Sequence, residues 1–147
     1  MRIDVPATSA NLGSGFDSLG IALTLCNRVW MEEWDSVDIA SLDHTVVPTD
    51  ESNLIYWAAQ RLFEECGHHL PGLKIRQENN IPMARGLGSS SACIVAGLLG
   101  ANRMLGNPLS EQDLIRLAAK IEGHPDTTTP AISGGLVASA MEGEVGS

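Results

Sequence analysis

Three stretches hold the residue types that could do chemistry. The first is Pro82-Met83-Ala84-Arg85-Gly86-Leu87-Gly88-Ser89-Ser90-Ser91-Ala92, which opens a run rich in Ala, Gly and Leu. At the start of a helix, free backbone N–H groups and the positive end of the macrodipole converge on one point. Gly86 and Gly88 put no side chain in the way of a phosphate, and three consecutive hydroxyls can bind oxygen or a phosphate-bound metal. The stretch lacks the Gly-Lys-Ser/Thr of a Walker A loop, which excludes a P-loop NTPase. Taken alone, it reads equally well as a capped helix behind a glycine turn.

The second stretch, Pro6-Ala7-Thr8-Ser9-Ala10-Asn11-Leu12-Gly13-Ser14-Gly15-Phe16-Asp17, sets an amide and a carboxylate on a small-residue loop. Such a pair can grip an amine or hydroxyl of a polar substrate, or simply make local turn bonds. The third, Glu122-Gly123-His124-Pro125-Asp126, gathers ionisable groups just after a helix end. Mg2+ takes one or two carboxylates plus substrate phosphates, so this is a candidate metal and substrate corner. His44, His68 and His69 fall in hydrophilic connections and read as solvated.

The elements that must position these stretches are legible in part. Leu19–Leu25, Arg28–Trp34 and Val37–Ala40 read as strands of one sheet, and Ile3–Val5 and Leu73–Gln77 are further strand candidates. Ile55, Ala58, Ala59, Leu62, Phe63 and Cys66 recur at helical spacing, with Ser52 or Asn53 as cap and Gly67 as stop. Residues 79–88 read as a loop, and Ser89–Leu105 as a helix buried on most sides. Ser110 and Asp113 form a capping box with a shortened acid, ahead of an apolar face of Leu114, Leu117, Ala118 and Ile121. Gly134–Ser139 is a candidate for a last strand.

Composition narrows the function classes. A chain of 147 residues supports one domain with a sizeable core. Apolar residues at 44%, charged residues at 18% and a mean hydropathy of +0.04 describe a folded, non-membrane protein with few aromatics, whose core falls to Ala, Val, Ile and Leu. A net charge of −9, with scattered Lys and Arg, excludes a nucleic-acid surface. Cys26, Cys66 and Cys93 are odd in number and widely spaced, which points to reduced thiols in a cytoplasmic protein. The N-terminal Met1-Arg2-Ile3-Asp4 has no signal-peptide pattern, and no run is long enough to span a membrane.

Together the three stretches resemble the three signatures of the GHMP small-molecule kinases. The form of Val5 to Asp17 is similar to that of homoserine kinases, the second signature matches Ile81–Ala92, and the third matches Glu122–Gly135. The resemblance implies an α+β fold, an α/β sandwich of the ribosomal protein S5 domain 2 type, with residues 1–147 as the N-terminal ATP-binding domain. Because family members are roughly twice as long, it also implies that a C-terminal, ferredoxin-like domain is absent and the substrate pocket incomplete.

By the same resemblance, Pro82–Ala92 wraps the phosphates of ATP and Asn53 lies near adenine. Ser90 and Glu122 hold Mg2+, and Asn11, Asp17 and His124 bind L-homoserine. Thr127 stands where homoserine kinases place an asparagine, so no residue is expected as a strong general base. The implied reaction is ATP-dependent phosphorylation of L-homoserine to O-phospho-L-homoserine, a step of threonine biosynthesis, with neither nucleic acid nor membrane as partner. A homodimer is compatible with it. The alternatives are another GHMP kinase, of mevalonate or shikimate type, and a catalytically silent nucleotide-binding fragment.

Overall fold

The structure, a computed structural model, describes residues 1–6, 26–42, 47–78, 87–122, 132 and 136; for 6, 26, 87–91 and 122 it describes the backbone alone. Alternation of apolar and polar residues yields β1 (Arg2–Pro6), β2 (Cys26–Glu33), β3 (Val37–Ser41) and β4 (Leu73–Glu78). They form one sheet in the order β1-β2-β4-β3. β2 runs antiparallel to both its neighbours, with Val29 opposite Ile3 and Gln77, while β3 lies parallel to β4 with Ile39 opposite Ile75. A tight turn cannot join parallel strands. The chain between β3 and β4 accordingly crosses over through α1 (Leu54–Glu65).

The period of two gives the sheet two unlike faces. Ile3, Val5, Val29, Met31, Ile39, Leu73 and Ile75 are buried. Their half-buried neighbours carry charge, and there Arg28 meets Glu78 at 3.0 Å and Arg76 meets Asp38 at 3.2 Å. These ion pairs are partly exposed, so each adds little to stability.

Asn53 caps α1 by accepting the N–H of Ile55, and Ile55, Tyr56, Ala58, Ala59, Leu62 and Phe63 turn inward. The helix stops where Gly67 takes a φ of +74°, the left-handed conformation that glycine tolerates best. α2 (Leu87–Met104) is apolar nearly all round and buries Ala92, Ile94, Val95, Ala96, Leu98, Leu99 and Ala101. α3 (Glu111–Glu122) buries Leu114, Leu117 and Ala118. At its start Ser110 Oγ accepts the Asp113 N–H, and an Asp113 carboxylate oxygen accepts the Ser110 N–H, both at 3.2 Å. The shortened acid therefore closes the capping box. α2 packs against α1, α3, β1 and β2, so the helices lie over the apolar face of the sheet. Tyr56 and Phe63 are the aromatics of the described core, which is otherwise aliphatic apart from Met31.

Two expectations are corrected. α2 begins at Leu87 rather than Ser89, so Leu87 and Gly88 are helical; packing of a buried helix outweighs the weak propensity of one glycine in its first turn. In the stretch expected as a last strand, Leu136 is helical, as is Ile132. Ile132 is fully buried and Leu136 packs against the core. The strand candidate at 19–25 lies outside the described residues.

Candidate functional site

α2 emerges from the chain that follows β4, and its first turn is Leu87-Gly88-Ser89-Ser90. That turn contains no acidic residue, so no side-chain carboxylate there offsets the positive end of the helix dipole. Arg103 sits in the last turn, where a cation complements the opposite end, and donates to the carbonyl of Arg2 at 3.3 Å. The interior of α2 is locked into the core from Ala92 onward. Its N-terminal amides therefore stand on a rigid support, an arrangement that suits an anion with several oxygens.

Within α2, Cys93 is partly buried against the core, and desolvation pushes its thiol up to about 11. It is a neutral thiol at ordinary pH and no nucleophile. Cys66, like Cys93, is free of any disulfide.

Asn53 holds the start of α1. It is 3% exposed, and all its polar positions have partners: Oδ1 accepts from Ile55 N–H at 2.9 Å, while Nδ2 donates to the Pro48 carbonyl at 2.9 Å and to Gln77 Oε1 at 3.2 Å. Just before it, Asp50 accepts from the backbone N–H and hydroxyl of Ser52, which hold its carboxyl below the usual range. Val37, Thr49, Asp50, Glu51 and Ser52 line an open hollow of about 440 Å³. Its two carboxylates suit hydroxyl or amine donors and repel phosphate, the reverse of the α2 N-terminus.

Of the residues singled out from sequence, Asn53, Leu87, Gly88, Ser89, Ser90, Ser91 and Ala92 lie in the described structure, and Glu122 is the final residue of α3. Pro82 to Gly86, Asn11, Asp17, His124 and Thr127 lie outside the described residues. Among the described residues no group of three or more His, Cys, Asp and Glu could hold a metal ion. No described helix is long and apolar enough to cross a membrane. His68 and His69 are exposed, as expected. Gln77, the buried partner of Asn53, was not singled out. Its signal was present as a polar residue at an inward position of the alternating strand Leu73-x-Ile75-x-Gln77.

A family model described as GHMP kinases N terminal domain matches residues 53–135. The chain is 51% identical to the homoserine kinase of Petrotoga mobilis over 149 residues, covering 99% of this chain and 48% of that one. A solved structure from Listeria monocytogenes, named for homoserine kinase, shares 44% identity with a TM-score of 0.67, covering 88% of this chain and 46% of that one. The Methanococcus jannaschii mevalonate kinase, at 15% identity and a TM-score of 0.59 over 91% of this chain and 49% of that one, shares the fold alone. The chain spans about half the length of the curated relatives it matches.

Proposed function

Because this chain belongs to the GHMP kinase family, we propose that it forms the N-terminal, ATP-binding domain of an enzyme that phosphorylates L-homoserine to O-phospho-L-homoserine. The observation that carries the reading is the acid-free first turn of α2, set behind a Gly-Ser stretch on a helix buried from Ala92 onward. The homoserine assignment rests on likeness to homoserine kinases at 51% and 44% identity, against 15% for a mevalonate kinase.

In this reading residues 82–92 enclose the phosphates. The amides at the head of α2 stabilise the negative charge on the transferred group, and they need no reorganisation to do so. ATP supplies the phosphoryl group, and Mg2+ neutralises phosphate charge. Ser90 and Glu122 are the residues that would hold the metal, a hydroxyl and a carboxylate being oxygen ligands of the kind Mg2+ takes beside substrate phosphates. Asn53 stands near the adenine, beside the acid-lined hollow. Asn11, Asp17 and His124 bind the amino acid and aim its hydroxyl, and Thr127 stands at the position where homoserine kinases place an asparagine. Without a strong general base, rate enhancement comes from alignment and electrostatic stabilisation. The product enters threonine biosynthesis, and the enzyme works in the cytoplasm.

Isothermal titration with MgATP, beside a coupled turnover assay offering L-homoserine, mevalonate and shikimate, tests the proposal. Saturable nucleotide binding and a preference for homoserine are expected. Preferential phosphorylation of mevalonate would overturn the acceptor, binding without turnover would mark a silent nucleotide module, and absence of nucleotide binding would remove the kinase assignment.

A further inference from the structure

Asn53 and Gln77 are buried polar residues, 3% and 2% exposed, joined side chain to side chain. Leu73 and Ile75, which precede Gln77 on the same face of β4, are apolar and fully buried. A third aliphatic residue would fill that position with less desolvation cost. Core packing alone thus gives no reason for an amide there.

Three pieces of chain meet at the Asn53 amide: residues 47–52 through the Pro48 carbonyl, the first turn of α1 through the Ile55 N–H, and β4 through Gln77. The Gln77 carbonyl also receives the N–H of Leu42, just past β3. β4 is the strand from which the chain proceeds to α2, and α1 is the helix on which α2 is seated. At Gly97 the two helices come so close that a Cβ would collide with the Ile55 carbonyl oxygen. The Asn53–Gln77 bond therefore ties the strand on one side of the nucleotide-binding stretch to the helix pair on the other.

We propose that Gln77 is a positioning residue for nucleotide binding, acting through Asn53 to hold the end of β4 in fixed relation to the α1–α2 pair. This rests on reading the α2 N-terminus as a phosphate site. Gln77 also sets the Asn53 amide, since an acceptor at Gln77 Oε1 turns Nδ2 toward β4 and leaves Oδ1 to cap α1.

The test is MgATP titration of the whole chain, at a temperature where each variant is folded, with thermal unfolding measured alongside. Gln77→Met keeps the volume and removes the acceptor; it should raise Kd about tenfold. Gln77→Glu retains a carbonyl oxygen whether or not it is ionised and should return Kd to within about threefold of the parent. Asn53→Ser keeps a capping oxygen but loses Nδ2 and with it the bonds to both Gln77 and Pro48, so it should bind at least as weakly as Gln77→Met. The double variant Asn53→Ser, Gln77→Met should bind no more weakly than the weaker single variant, because one linkage is lost either way. If Gln77→Met does not fold, the contrast between Gln77→Glu and Asn53→Ser carries the same decision. A Gln77→Met protein that melts lower but keeps the parental Kd, or losses that add in the double variant, would overturn the positioning role and leave the nucleotide site standing. A parent chain that does not bind MgATP would overturn both.

Discussion

Gly97 of α2 lies directly against the backbone carbonyl of Ile55 in α1, and a Cβ placed on it would also come within 2.9 Å of Ala58 Cβ. The obstacle is backbone, which cannot rotate aside as a side chain can. Alanine has the better intrinsic helix propensity by about 1 kcal/mol, but forcing the helices apart in a close-packed core costs about 1–3 kcal/mol. Gly97→Ala should therefore lower the urea midpoint. Gly100 offers the control, because the atoms facing it belong to the flexible end of Met31. Gly100→Ala should cost less, and the reverse ranking would show that the α1–α2 approach is not the tight contact.

The Ser110–Asp113 capping box predicts a pH dependence. Hydrogen bonds from the Ser110 backbone and side chain hold the Asp113 carboxyl below its ordinary value. A depressed carboxylate contributes stability above its unfolded pKa and loses it as pH falls through the lower folded value. Fraying of α3, followed by amide exchange, should set in only below the usual carboxylate range, and Asp113→Ala should abolish that step. Ser110→Ala should cost about 1 kcal/mol at neutral pH.

Cys93 titrates in the opposite sense. With its thiol raised to about 11, the folded state keeps the proton that the unfolded chain releases near 9.0. Its contribution is complete below the unfolded value and disappears as pH rises through the folded one. Stability should fall between those limits, and Cys93→Ser should flatten that decline. Iodoacetamide at pH 8 should label Cys93 only after unfolding, and rapid labelling of native protein would contradict the burial.

If Ser90 meets a metal held by the phosphates, Ser90→Ala should weaken MgATP by about tenfold and leave ATP in excess EDTA almost unaffected. Equal weakening in both conditions would assign the hydroxyl to phosphate rather than to metal.

Local pattern made much of this legible. Strand alternation located β1 to β4, the recurrence from Ile55 to Cys66 located α1 between Asn53 and Gly67, and Ser110 with Asp113 marked the start of α3. Leu136 shows where pattern fails. Gly134–Ser139 reads as a strand candidate, but Leu136 within it is helical and packs against the core. Whether Leu87 and Gly88 were loop or helix was likewise settled by packing, since glycine propensity argues weakly against the helix.

The sequence by itself determined most of the elements and the family, and it singled out the stretches proposed to carry the chemistry, because periodicity, caps and signature residues act over a few positions along the chain. Only the tertiary structure decided that β3 lies parallel beside β4, that Gly97 meets Ile55 and that Asn53 bonds to Gln77. These are contacts between residues far apart in sequence. They form only once burial of the shared core has brought the segments together, so no local pattern can encode them.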